Sequence, residues 1–320
     1  MHCSWSPIWT LQVMLKEGKR AIKAALEAWR RRSSARQLAH KVPHVTRAQL
    51  AADLTRLGVA RGDTLFIHSS LKSLGFVEGG AAAVVGALQD AVGPDGTLML
   101  PTYYMPAGTV RGTCAVPGYL FDPRQHGTIM GRLPEAFLAT DAVRRSIHPT
   151  HSVSAWGRNA AYLTERHHQA PSIFGMGSPW QRFLEIEHAK VLGLGISMGP
   201  VTFYHVLEDS LGPAFPVQIW DEKDILLPCL DHAGERWEVP VRPFLPAVPG
   251  SRIDHPSRAD LREYFQLEFE RAGLRVNGHV GEAASWLIDG LPFFSHLKQL
   301  ATEGITVYSS AEQLAARPLT

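Results

Sequence analysis

Histidines flanked by serines form the first chemically suggestive pattern in this 320-residue sequence, RRSIHPTHSVSAWG at residues 144–157. The proline after His148 restricts that histidine to extended backbone, so His148 and His151 are not neighbours on one helical face. The alternation of Ser152 and Ser154 with apolar residues predicts a short strand. The histidines are therefore expected on a loop that leads into a strand, where catalytic groups are common. A solvated surface loop is the alternative.

A second pattern is LFIHSSLKSLGFVEGG at residues 65–80, in which a strand ends in serines and a glycine-rich loop leads into a helix. Hydroxyls, turn amides and a helix N-terminus that point one way form an anion-binding geometry. The segment is neither a Walker sequence nor a G-x-G-x-x-G motif. An ordinary loop capped by serine is the alternative.

The third pattern, GISMG at residues 195–199, matches G-x-S-x-G between a predicted strand and a predicted helix. That context is typical of the nucleophile elbow of serine hydrolases, with Ser197 as the nucleophile. A glycine-rich turn that contains a serine by chance is the alternative. The downstream candidates for its acid and base are Asp254, His255, His279 and His296.

The fourth pattern is VTFYHVLED at residues 201–209. On a helix, Thr202, His205 and Glu208 are spaced by three residues and lie on one face. An imidazole and a carboxylate on the same face could transfer protons. A solvated polar stripe is the alternative.

These patterns lie among elements that alternate between strand and helix. Apolar runs predict buried strands at residues 63–69, 96–103 and 189–196, and amphipathic segments between them predict helices. Such alternation is typical of a parallel sheet covered by helices. We predict an α/β fold with a mostly parallel central sheet flanked by helices, and a small antiparallel addition in the C-terminal third.

The N-terminal 41 residues differ in charge from the rest of the chain. They contain nine Lys or Arg against two Glu, a net charge of +7, which leaves −5 for residues 42–320 of a chain that totals +2. Residues 9–32 combine helical apolar spacing with a basic face. We predict a basic amphipathic helical extension at 1–41 and one domain at 42–320. The extension could pack on the body, contact an anionic membrane surface weakly, or fray.

Cysteine usage and hydropathy exclude several protein classes. Cys3, Cys114 and Cys229 are widely spaced and odd in number, which opposes a disulfide framework and a zinc ribbon. We expect no metal and a reducing, cytoplasmic location. No apolar run approaches the roughly 20 residues of a membrane span, and no secretory signal is recognisable. Nucleic-acid binding is not expected, because no recognition module accompanies the basic residues.

Taken in order, the motifs resemble the aminoglycoside 3-N-acetyltransferase family, acetyl-CoA-dependent enzymes unrelated in fold to the larger GNAT group. The resemblance runs from about residue 46 to about residue 212, and residues 213–320 form the C-terminal part of the same predicted domain. The motifs are IHSSLKSLGFVEGG, VGPDGTLMLPTY, FDP (121–123), GRLPEAF (131–137), RRSIHPTHSVSAWG, FGMGSPW (174–180) and VTFYHVLED.

The resemblance implies direct transfer of an acetyl group from acetyl-CoA to an amine. His148 would be the general base, since a neutral imidazole suits this task at neutral pH. Glu208, or Asp122 in its place, would lie within hydrogen-bond reach of His148 or be joined to it through one water. The implied substrate-binding residues are Asp122, His205 and Ser152, and His151 would lie at the substrate edge. The implied coenzyme A cradle consists of Ser69, Ser70, Leu71, Gly75, Val77, Gly79 and Gly80.

The sequence leaves alternatives open for the identity of the acceptor and for the class of protein. The acceptor would be an amino sugar, either in an aminoglycoside or in a nucleotide-linked sugar of polysaccharide biosynthesis. In the second case Arg144, Arg145 and Trp156 could bind the diphosphate. A serine hydrolase that uses Ser197 and a non-catalytic sugar- or membrane-binding relative are the alternatives from other classes, and a homodimer is an open expectation.

Gly79→Val tests the predicted cradle. A bulky residue there should block the close approach of coenzyme A to the backbone amides and weaken its binding. Isothermal titration calorimetry with coenzyme A measures this effect. An unchanged affinity would contradict the placement of the cradle.

Overall fold

The computed structural model describes residues 44–317. The predicted basic extension at 1–41 lies outside the described residues, so its packing and its contact with a membrane stay predictions, as does the domain boundary after residue 41. The residues from Val45 onward fall in one compact unit.

A seven-stranded mixed sheet forms the centre of the structure, in the order β10-β11-β7-β2-β4-β6-β5. Strand β2 runs parallel to both β4 and β7, and the outer strands pair antiparallel. The parallel part is therefore the middle three strands. The strands of this sheet are β2 (Thr64–Ser69), β4 (Thr97–Pro101), β5 (Arg144–Arg145), β6 (Val153–Gly157), β7 (Ala189–Leu194), β10 (Arg275–Val280) and β11 (Ala283–Asp289).

Two short antiparallel pairs accompany the sheet. The first joins β1 (His44–Val45) to β3 (Phe76–Val77), and the second joins β8 (Ile225–Leu230) to β9 (Arg236–Val241). The β8–β9 hairpin is the small antiparallel addition predicted for the C-terminal third. The α/β fold class predicted from the sequence is thus confirmed.

Helices cover both faces of the sheet. Typical capping residues mark their N-termini, as in the capping box between Thr46 and Gln49 and the N-cap at Ser178 followed by proline. None of the helices within residues 44–317 combines the length and hydropathy needed to cross a membrane. The helices are α1 (Arg47–Leu57), α2 (Gly80–Val92), α3 (Val110–Cys114), α4 (Arg132–Leu138), α5 (Ala160–Thr164), α6 (Pro179–Leu184), α7 (His205–Leu211), α8 (Val248–Ser251), α9 (Ala259–Arg271), α10 (Gly290–Thr302) and α11 (Ala311–Ala316).

The core divides into two layers because successive side chains of a strand point to opposite faces. In β2, Leu65 and Ile67 belong to the layer shared with α1 and α2, whereas Phe66 belongs to the layer on the other face. That second layer contains the aromatic side chains of residues 174–203 and of α9 and α10. The motifs at residues 144–157, 195–199 and 201–209 contribute to the second, aromatic layer, whereas Leu74 and Val77 of the loop after β2 belong to the first.

A tryptophan on the sheet anchors the start of the loop after β7. Trp286 lies opposite Gly193 in the β11–β7 register and is fully buried. Its indole Nε1 donates to the Ile196 carbonyl at 2.9 Å. Only glycine fits beneath the ring, because a Cβ at residue 193 would lie 1.9 Å from Trp286 Cε2.

Gly193→Ala should therefore overpack the sheet and lower the free energy of unfolding by about 1–3 kcal/mol, the usual cost of overpacking a core. Urea unfolding followed by circular dichroism measures it. Gly127→Ala is the matched control, because a Cβ there meets no atom within 4 Å. Equal stability of the two variants would contradict the packing argument.

Candidate functional site

The carboxyl ends of the three parallel strands converge on one edge of the sheet, where open α/β sheets bind ligands. Tyr103 follows β4, and Thr202 and His205 follow β7 after the loop at residues 195–201. Because β6 is antiparallel to β4, the loop that contains His151 reaches the same edge. These four side chains line a cavity of about 590 Å³, called here the His205 cavity.

A hydrogen-bonded chain of three side chains stands behind this cavity. The Nδ1 atom of His205 lies 2.9 and 3.0 Å from the two carboxylate oxygens of Glu208. The Tyr308 hydroxyl donates to the same carboxylate, and the pKa of Tyr308 is raised well above its ordinary value, chiefly by burial. Since an ionised carboxylate only accepts, the proton of the neutral imidazole is on Nδ1 and the lone pair is on Nε2. No hydrogen bond within residues 44–317 engages that Nε2.

Two buried hydroxyls share the cavity wall with His205. Tyr103 and Thr202 interact with each other through their hydroxyls, and neither Tyr103 Oη nor Thr202 Oγ1 has a further hydrogen-bond partner in the described part of the chain. Burial raises the pKa of Tyr103, so its hydroxyl keeps its proton and remains a donor. Buried polar groups are normally satisfied, and two such donors beside an imidazole are suited to receive a ligand oxygen.

His148 occupies a different environment from the one predicted. It is buried, and its Nδ1 accepts from the backbone N–H groups of Thr150 and His151 at 3.2 and 3.0 Å. Its ring stacks on His167 with centroids 4.5 Å apart. It is absent from the cavity lining, and its pKa is lowered well below the usual value, first by burial. The ring therefore shapes the loop.

The predicted hydrogen bond between His148 and a carboxylate is not formed directly. Glu208 uses its oxygens on His205 and Tyr308. Asp122 binds Arg124 through both oxygens, and Arg124 lowers the pKa of Asp122 to about 2. These contacts occupy both carboxylate oxygens of Asp122, which stabilises the turn of the FDP motif.

Ser152, which was expected at the substrate, is part of a buried backbone clamp. Its hydroxyl donates to the Thr102 carbonyl at 2.9 Å and accepts from Arg145 Nε at 3.0 Å. Arg145 also donates to the carbonyls of Thr102 and Gly127 and lies over the Phe121 ring. Its donors are thus engaged within the fold, and Arg145 is not available for a diphosphate.

The residues of the predicted cradle surround the loop after β2. Ser70 N donates to the Leu194 carbonyl, and Ser70 Oγ accepts from Ser73 Oγ at 2.9 Å. Gly79 and Gly80 have φ of +79° and +62° at the start of α2, a conformation that favours glycine. The role of the seven cradle residues in binding coenzyme A stays a prediction. The seven cradle residues are Ser69, Ser70, Leu71, Gly75, Val77, Gly79 and Gly80.

Next to that loop lies a second, open pocket of about 680 Å³, here called the Ser73 pocket. Residues 195–197 line it, whereas residues 199–202 of the same loop line the His205 cavity. Ser197 is exposed there, and its Oγ accepts from Gly199 N. Within residues 44–317, no histidine is hydrogen bonded to Ser197, including His279 of the same pocket. A nucleophile elbow with an activating base is therefore not assembled.

Comparisons with known proteins identify the family of this chain. Residues 66–301, well over half of the chain, match the family description "Aminoglycoside 3-N-acetyltransferase". The chain belongs to the aminoglycoside 3-N-acetyltransferase family. The resemblance drawn from the sequence motifs is confirmed.

Named members of this family align with only part of their length. The SPbeta prophage-derived aminoglycoside N(3')-acetyltransferase-like protein YokD of Bacillus subtilis (strain 168) is 34% identical over 181 residues, which cover 51% of this chain and 64% of that protein. Aminoglycoside N(3)-acetyltransferase III of Serratia marcescens is 40% identical over 169 residues, 50% of this chain and 62% of that protein. The chain thus spans somewhat less than two thirds of the curated relatives it matches.

Solved structures of the family extend the similarity across most of the fold. Aminoglycoside acetyltransferase AAC(3)-Xa superposes with a TM-score of 0.69 at 28% identity, over 82% of this chain and 94% of that one. AAC-IIIb, solved as a binary complex with CoASH, gives a TM-score of 0.68 at 28% identity, over 84% and 100%.

Cysteines and metals contribute nothing to the cavity in the described residues. Cys114 and Cys229 are both absent from its lining, and burial raises the pKa of each thiol. No group of three or more His, Cys, Asp or Glu side chains in residues 44–317 is arranged to hold a metal ion.

Four buried imidazoles predict acid lability. Burial lowers the pKa of His68 and His167 to about 3, and that of His148 and His151 well below the usual value. In the unfolded chain these imidazoles have a pKa of about 6.5. Below that pH the unfolded chain binds protons that the folded chain excludes. The free energy of unfolding should therefore fall as the pH drops from about 6.5 to 5, by up to about 1.4 kcal/mol per pH unit for each histidine.

Urea unfolding at pH values between 7.5 and 5 measures that slope. His68→Phe is the informative variant, because His68 Nε2 has no partner and its ring contacts Phe66 edge-on at 4.5 Å. Below pH 6.5, the free energy of unfolding of this variant should fall less steeply with decreasing pH than that of the wild type. The difference should equal the contribution of one histidine. An unchanged slope would show that His68 is protonated equally in both states.

Proposed function

We propose that this chain transfers the acetyl group of acetyl-CoA to the amino group of an amino sugar, with His205 as the general base. The observation that supports the base is the His205–Glu208 pair, whose imidazole lines the cavity with its Nε2 unengaged. The donor is suggested by family membership and by AAC-IIIb, a relative solved with CoASH. The acceptor class is suggested by AAC-VIa, a 27% identical relative solved bound to sisomicin.

The proposed reaction uses the described side chains as follows. The neutral amine attacks the thioester carbonyl carbon, and His205 Nε2 accepts the proton that the nitrogen loses. Glu208 stabilises the imidazolium that forms. The hydroxyls of Tyr103 and Thr202 donate hydrogen bonds to the oxyanion of the tetrahedral intermediate. The C–S bond then breaks, and the departing sulfur takes up a proton, which His205 can return.

Direct transfer is preferred over an acyl-enzyme. Neither described cysteine lines the His205 cavity, and Ser197 lacks a hydrogen-bonded base. The serine hydrolase alternative therefore has no assembled site in residues 44–317 to support it.

Two histidine variants separate this mechanism from the one implied by the motifs alone. His205→Asn should lower kcat by about 10²–10⁴-fold, the usual contribution of a general base. His148→Asn should stay within a few-fold of wild type, because an Asn side-chain oxygen can accept the two amides that His148 Nδ1 accepts. Thiol release from acetyl-CoA in the presence of an amino sugar, followed with a thiol reagent, measures both.

Control measurements keep the comparison interpretable. Both variants should retain the circular dichroism spectrum of the wild type, and Ser197→Ala should retain most of the turnover. If His148→Asn abolishes turnover while His205→Asn does not, His148 is the base after all. Loss of turnover in Ser197→Ala alone would favour the hydrolase.

A further inference from the structure

Two arginines in ion pairs line the His205 cavity. Its charged lining residues within the described chain are Arg111, Arg252 and Asp254. His151 and His205 also line the cavity, and His151 stays neutral because burial lowers its pKa. Glu208 stands behind the wall, and both of its oxygens already face His205 Nδ1. A ligand in this cavity therefore meets two guanidinium groups, each already paired with one carboxylate, Arg111 with Asp221 and Arg252 with Asp254.

The carboxylate of Asp254 is already neutralised. Arg252 donates through Nε and Nη2 to the two oxygens of Asp254, a bidentate ion pair. The same guanidinium lies over the Phe244 ring, 5.2 Å from its centroid. A polycationic acceptor would have to compete with Arg252 for Asp254 and with Arg111 for Asp221.

Both arginines retain unused donors. Arg111 uses only Nη2, which donates to Asp221 at 2.7 Å and to the Phe244 carbonyl at 2.8 Å. In residues 44–317, no hydrogen bond engages Arg111 Nε or Nη1, or Arg252 Nη1. The side chains of Arg111 and Arg252 are 45% and 24% exposed. Guanidinium donors of this kind match the oxygens of a phosphate or a carboxylate.

We propose that the acceptor is an amino sugar that bears an oxyanion, a phosphate or a carboxylate, which Arg252 and Arg111 bind while the amine faces His205. This inference rests on the proposed acetyl transfer and specifies its acceptor. The remainder of the wall, including Met105, Ile129 and Leu245, is apolar and suits the less polar face of a sugar ring. The phosphates of coenzyme A itself are the competing oxyanion, and the experiment separates the two.

The test compares kcat/KM for four acceptors at saturating acetyl-CoA: glucosamine, glucosamine 6-phosphate, muramic acid and kanamycin. We expect glucosamine 6-phosphate or muramic acid to exceed both glucosamine and kanamycin at least tenfold. The phosphate and carboxylate arms identify which oxyanion is preferred. Preference for kanamycin would overturn the inference while leaving acetyl transfer intact. Absence of thiol release with every amine would reject the transfer itself, and the inference with it.

Removing both members of the Arg252–Asp254 ion pair tests whether Arg252 causes the preference for an anionic acceptor. The double variant Arg252→Gln/Asp254→Asn should raise KM for the anionic acceptor at least tenfold and leave KM for glucosamine and for acetyl-CoA within about twofold. A rise in KM for acetyl-CoA instead would assign the arginine to coenzyme A and overturn the proposal. Arg242→Gln/Asp224→Asn is the matched control, because it removes a similar bidentate pair away from the cavity. It should change none of these constants.

Discussion

The buried carboxylate of Glu208 is the constraint on which the site depends. An ionised carboxylate in the protein interior is stable only when it is paired or hydrogen bonded. Here His205 supplies one donor from the same helix, and Tyr308 supplies another from a segment one hundred residues later. The same pairing sets the tautomer of His205 and leaves its Nε2 as the basic atom. The C-terminal segment is therefore as much a part of the site as the helix that contains the histidine.

The mixed topology explains how distant motifs meet. Only β4, β2 and β7 are parallel, and their carboxyl ends define the edge at which Tyr103 and Thr202 emerge. Antiparallel β6 begins at that edge and so brings His151 to it. Trp286 on Gly193 secures the start of the loop between β7 and His205. The central sheet thus positions groups whose own segments are loops.

Hydrogen bonds within the loop HPTH fix its shape. His148 accepts two backbone amides within the loop, and Thr150 Oγ1 lies 2.9 Å from His151 Nδ1. These bonds turn the chain so that His151 lines the cavity while His148 stacks on His167. Four neutral imidazoles in one core cost stability in acid, since the unfolded chain can protonate them. Their number fits a protein that operates near neutral pH.

Local sequence predicted the three parallel strands, the α/β class and the family resemblance, because these depend on periodicity and on motifs along the chain, whereas the antiparallel strands β10 and β11 were not predicted. The three-residue spacing of His205 and Glu208 also followed from helical geometry. Only the tertiary structure decided which histidine faces the cavity, that Ser152 and Asp122 hold the backbone, and that Tyr308 completes the pair. Those outcomes depend on burial and on contacts between segments far apart in the chain, and residue spacing contains no information on either.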